Sequence, residues 1–175
     1  LINTNNGLYL NLNYRFNPNL FRNQQLSSSL LIESRYFIPI SKTNKQHVFG
    51  FWAYGQFLVS GKLPYLNLPA IGWDQNSRSG KGYIQGLFRG TNLMFFEGEY
   101  RFPITKNQMI SGTVFTNVTT ASNLDNNFKL FESIQPAIGV GLRVLLDKNT
   151  LTNFIVNFGL GRESQTFYFN DGEGF

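Results

Sequence analysis

Apolar and polar residues alternate along most of this chain, and the alternation predicts about eight strands. In residues 7–16, Leu8, Leu10, Leu12, Tyr14 and Phe16 share one face while Tyr9, Asn11, Asn13 and Arg15 share the other, the period-two signature of a strand with one wet face. Residues 26–40 repeat it, with Leu30, Ile32, Tyr36 and Ile38 opposite Ser29, Glu33 and Arg35. In residues 47–60 the aromatics and aliphatics (Val48, Phe49, Phe51, Trp52, Tyr54, Phe57, Leu58) fall on both faces, so the period alone assigns no outward side. The next strand sets Met94, Phe96, Gly98, Tyr100 and Phe102 against Leu93, Phe95, Glu97, Glu99 and Arg101. Residues 108–120, 135–146 and 151–161 alternate in the same way, and a last strand runs from 164 to the chain end with Phe167, Phe169 and Phe175 on one parity.

The connections differ in length. Thr105, Lys106 and Asn107 make a short turn and residues 147–150 a compact one, whereas 17–25 and 123–133 are longer and polar. Residues 61–91 stand apart, because about thirty residues without strand periodicity form an unusually long loop, and such loops are mostly functional or disordered. Its apolar members, among them Tyr65, Leu66, Ile71, Trp73, Tyr83 and Phe88, need something to pack on and argue against disorder. At its glycine-punctuated tip lies Lys81, and the carboxylates of the strand that follows are the evident place for its charge. Strands with ionisable groups on one face and an aromatic row on the other suit a barrel that is polar inside and apolar outside.

Composition narrows the picture. With 18 Phe, 8 Tyr and 17 Gly in 175 residues and few charges, the chain favours sheet over helix. No stretch approaches the roughly 18–20 consecutive apolar residues of a membrane helix, which leaves a membrane β-barrel untouched. The absence of Cys excludes thiol nucleophiles, disulfides and thiolate metal sites. The net charge of +5 is scattered and never gathers into a run, so it does not describe a nucleic-acid surface; it suits anionic headgroups.

Few residues point to bond-making chemistry. Gly80-Lys81 resembles part of a phosphate loop, but the first Gly of that pattern would fall at Gln75, and Gly82 replaces the Ser or Thr. Glu97 and Glu99 read better as a structural charge network with Arg101 and Lys81 than as paired catalytic carboxylates. His47 is the only histidine, which removes a metal cluster or triad. The chain is therefore expected to be neither an enzyme nor a cofactor or metal binder.

Gly80-Lys81-Gly82-Tyr83-Ile84-Gln85-Gly86 with Phe88-Arg89-Gly90, then Glu99-Tyr100-Arg101-Phe102-Pro103, resembles the C-terminal barrel of the BamA/TamA-type bacterial surface antigen superfamily, and looks closest to its Bacteroidetes-like members. The resemblance runs through most of the chain. In that family an Arg-Gly-Tyr or Arg-Gly-Phe motif folds the loop back into the barrel lumen, where the arginine meets acidic residues. Here Lys81 takes the arginine's place, keeping the charge and losing the bidentate fork. Asn117 stands where an Asp is common, so the resemblance implies that Glu99, with Glu97, carries the ionic part while Asn117 accepts a hydrogen bond from Lys81. The terminal aromatics Phe167, Phe169 and Phe175 resemble the targeting strand of outer-membrane barrels.

The resemblance implies an all-β, antiparallel transmembrane β-barrel of about eight strands over residues 1–175, the C-terminal half of a sixteen-stranded barrel, with 61–91 entering the lumen. An eight-stranded barrel closed on itself has no room for that loop. It further implies a place in the bacterial outer membrane and a part in inserting outer-membrane proteins or translocating polypeptides. Its partners would be outer-membrane lipids, unfolded client proteins and the missing N-terminal half of the barrel; nucleic acid is not among them. In this view Gly80, Lys81, Gly82, Tyr83 and Gly86 form the lumen motif and Glu97, Glu99, Arg101 and Asn117 anchor it. The alternative is a membrane anchor or secretion pore for an upstream passenger such as a lipase-like domain, and third comes a soluble β-barrel ligand binder.

Overall fold

The computed structural model describes residues 4–18, 26–41, 46–74, 77–107, 109–122, 128–147 and 152–171. They build one antiparallel sheet of eight strands in chain order: β1 (Gly7–Asn17), β2 (Ser27–Pro39), β3 (Val48–Gly61), β4 (Asn92–Pro103), β5 (Ile110–Ser122), β6 (Gln135–Asp147), β7 (Thr152–Gly161) and β8 (Ser164–Asp171). Each strand pairs with its neighbours in sequence, and β1 and β8 do not pair with each other, so the sheet is open. Apart from the far end of β8, expected to reach the chain end, strand limits lie within a residue or two of those expected from the alternation. Phe175 and most of the turn expected at 147–150 lie outside the described residues, as does much of the 17–25 connection.

Strand pairing carries the period-two pattern across the sheet, with register shifts near strand ends at Ser28/Ser29 against β3 and at Leu145/Asp147 against β7. Leu8 faces Tyr36, Tyr36 faces Phe51, and Phe51 faces Gly98. Thr116, Ile138 and Leu160 continue that row. The result is one continuous face bearing Leu8, Leu10, Leu12, Ile32, Phe49, Phe51, Phe96, Val114, Ile138, Val140, Leu142, Phe154, Phe167 and Phe169, all exposed. The opposite face holds Glu33, Arg35, Glu97, Glu99, Arg101 and Arg143, all buried. This arrangement inverts the usual one, because apolar side chains look out and ions look in.

The third strand, ambiguous in sequence, resolves here. Val48, Trp52 and Tyr54 turn to the ionic face and form a core with Phe37 of β2, Leu93 and Phe95 of β4, and Ile71 of the loop. Phe49 and Phe51 take the bare face. The strand is apolar on both sides because one side looks out and the other meets the loop.

Candidate functional site

Residues 62–74 and 77–91 lie across the ionic face, and their own hydrogen bonds give them shape. A 3₁₀ turn spans Tyr65–Asn67, and Ala70 bridges Arg89. Asp74 accepts from the Ser79 N–H at 2.8 Å and the Ser79 hydroxyl at 2.5 Å, Gly72 N–H donates to the Ser79 hydroxyl, and Gly86 N–H donates to the Ile71 carbonyl. A turn closed by Tyr83 N–H on the Gly80 carbonyl then presents the tip. Gly82 has φ +106°, and a Cβ there would come within 2.7 Å of the Ala137 Cβ. A residue with a side chain would be strained in that backbone and would push the tip off the sheet.

The tip is tethered to β4, β5, β6 and β8 and to the turn between β7 and β8. Lys81 Nζ lies 2.5 Å from Glu97 Oε1 and 3.6 Å from Glu99 Oε2, with no part of its side chain exposed. Glu99 Oε1 also accepts from Arg101 Nε and, at 3.3 Å, from Arg143 Nη1 of β6. Asn117 of β5 donates its Nδ2 to the Lys81 carbonyl at 2.8 Å. The Tyr83 hydroxyl donates to the Pro136 carbonyl of β6 and accepts from Arg162 N–H just past β7. On β8, Thr166 Oγ1 accepts from Gly82 N–H at 3.0 Å, and the Tyr168 hydroxyl bonds the carbonyls of Gly80 and Tyr83.

These bonds require a curled sheet. Lys81 and Gly82 are adjacent residues, yet one is held by Asn117 on β5 and the other by Thr166 on β8. Those strands are three spacings apart, about 14 Å in a flat sheet. Two short side chains standing off the sheet span that only if it bends around the loop.

The sequence-derived residues fall into three groups. Gly80, Lys81, Gly82 and Tyr83 meet Glu97, Glu99, Arg101 and Asn117 on the ionic face, whereas Gly86 only turns the loop, at φ +80°. Phe167 and Phe169 are exposed on the bare face. Two expectations need correction. Glu97, not Glu99, is the nearer partner of Lys81, because Arg101 and Arg143 occupy Glu99. Asn117 does not accept from the Lys81 ammonium; it donates to the Lys81 carbonyl, since its amide sits beneath the loop backbone.

Sequence reasoning missed several partners. Arg143 is visible as the lone charge on a glycine-rich face, and that isolation was the available signal. Phe115, whose ring lies 4.9 Å from Lys81 Nζ, and Thr166 and Tyr168 carry no such mark. Among the described residues no three His, Cys, Asp or Glu side chains gather so as to hold a metal ion. Beside the loop, against β1 to β3, an open cavity of about 1050 Å³ is lined by Asn13, Arg15, Ser29, Gln56, Leu66 and Trp73 among others. What this arrangement can do is mechanical: it fixes a loop against a sheet through buried charge. No protein-family model matches the chain, and no curated protein matches it.

Proposed function

We propose that this chain is part of an outer-membrane β-barrel of the assembly or translocation type, in which the tethered loop occupies the lumen and the bare face meets lipid. The observation that carries the reading is the inverted sheet. Arg15, Glu33, Arg35, Glu97, Glu99, Arg101 and Arg143 all lie on the loop-bearing side, and the exposed rows opposite are apolar from β1 to β8. Soluble monomers rarely expose a contiguous apolar patch beyond a few hundred Å²; hydrocarbon removes that cost and imposes the opposite one on charge.

Two further features support a barrel larger than this sheet. The outer edges of β1 and β8 have no partner strand among the described residues, and open edges are not tolerated in lipid. The loop also needs a lumen wider than eight strands provide. The proposed place is the bacterial outer membrane, where further strands would complete the wall and unfolded barrel proteins or translocated chains would be the clients.

The test uses the full-length protein containing this chain, purified and reconstituted into lipid vesicles. Unfolded barrel proteins should fold into those vesicles faster than into vesicles without it. Recovery as a detergent-free soluble protein would sink the membrane reading. Insertion without any effect on client folding would remove the assembly activity and favour a membrane anchor or secretion pore.

A further inference from the structure

Lys81, Glu97 and Asn117 stand together more closely than an ionic tether requires. Glu97 and Asn117 are directly opposed on β4 and β5. Lys81 bonds the first through Nζ and the second through its carbonyl. None of the three is more than 3 % exposed. Phe115 lies over the amine, and buried Trp52 pairs with Glu97 from β3, so water is kept out.

Two buried oxygens on the opposed pair, Glu97 Oε2 and Asn117 Oδ1, have no hydrogen-bond partner. With an ionised carboxylate both are acceptors and neither can satisfy the other. If the Lys81 proton moves to Glu97 Oε2, that atom becomes a donor and Asn117 Oδ1 is the acceptor on the residue facing it. The transfer also discharges a buried ion pair, whose desolvation is costly. It leaves Lys81 as a neutral amine, the nucleophilic form of lysine.

We infer that Lys81 and Asn117 are joined by an intramolecular isopeptide bond, with Glu97 carrying the protons. The Asn117 amide turns about its Cβ–Cγ bond, giving up its bond to the Lys81 carbonyl. The Nζ lone pair attacks Asn117 Cγ while the Glu97 O–H protonates Oδ1. Glu97 then takes a proton from Nζ and delivers one to Nδ2, and as the tetrahedral carbon collapses and its C=O re-forms, Glu97 takes back the proton on Oδ1. The Cγ–Nδ2 bond breaks and ammonia leaves. One C–N bond forms, one breaks, nothing is oxidised or reduced, and Glu97 is returned protonated. The product closes a covalent ring from the loop tip to β5 in a chain without cysteine, and such a cross-link limits the unfolded chain as a disulfide does. The inference rests on these three side chains and not on the membrane reading.

Intact mass spectrometry of the denatured full-length protein tests it, together with peptide mapping. The expected result is a mass lower than that of the sequence by one ammonia, and a branched peptide joining Lys81 to Asn117 that trypsin does not cut at Lys81. Asn117→Asp should give the same branched peptide with loss of one water instead. Lys81→Arg and Glu97→Gln should keep their full sequence masses. A wild-type protein at full sequence mass overturns the inference, and so does an ammonia loss confined to a linear peptide, as from an asparagine succinimide.

Discussion

Two charge clusters share one face of the sheet and are built in opposite ways. Glu33 and Arg35 are two residues apart on β2, bonded at 2.5 Å, with Trp52 Nε1 donating to the same carboxylate oxygen at 3.1 Å. Arg35 stacks near Tyr9 and Trp52. The cluster around Glu99 draws instead on β4, β6 and the loop tip. The ion pair of the first lies within β2 and forms wherever that strand forms, so it reports little about the fold. The second exists only when residues far apart in the chain have already met. Buried charge can thus decorate a strand or lock a topology, and sequence separation decides which.

The largest break in this contrast should come from Glu99→Lys, which deletes the shared acceptor and adds a cation beside Arg101 and Arg143. Loss of a buried pair costs about 3–5 kcal/mol. The urea midpoint should fall accordingly, and the heat-modifiable gel shift of the folded protein should disappear; an unaltered shift would mean that the cluster does not hold the loop. Next comes Leu142→Arg on the bare face, expected to cost about 2–4 kcal/mol for folding into vesicles if that face meets mid-bilayer hydrocarbon. A face that meets water would accept it without measurable loss. Gly159→Ala should follow at about 1–3 kcal/mol, the usual range for overpacking, because its Cβ would come within 2.5 Å of the Gly82 backbone nitrogen. Limited proteolysis should then cut the loop sooner. The smallest effect belongs to Glu33→Gln, about 1–2 kcal/mol, with the protease protection of the loop unchanged, since the amide oxygen still accepts from Trp52.

The strands were legible because each wears its two environments as alternating residues, and Tyr9 to Arg15 against Leu8 to Phe16 is enough to see it. The face of β3 was not, since Trp52 and Tyr54 meet an apolar loop while Phe49 and Phe51 look out, and periodicity cannot separate two apolar surroundings. Within the site, the meeting of Lys81 with the β4 carboxylates followed from charge alone. The choice of Glu97 over Glu99 did not, because it depends on Arg143 arriving from another strand. Thr166 and Tyr168 were hidden for a related reason: their bonds to the tip run over more than eighty residues and involve no charge.

The strictly sequential order of the sheet has a kinetic and thermodynamic consequence. A meander in which every strand pairs only with its chain neighbours is a row of hairpins, and such one-dimensional arrays open segment by segment, each interface contributing on its own. Residues 80–83 break that independence. By bonding to β4, β5, β6, the β7–β8 turn and β8 at once, they make the second half of the sheet open and close as a single cooperative unit. β1 and β2 take no part in those bonds, so fraying should begin there and halt where the loop takes hold.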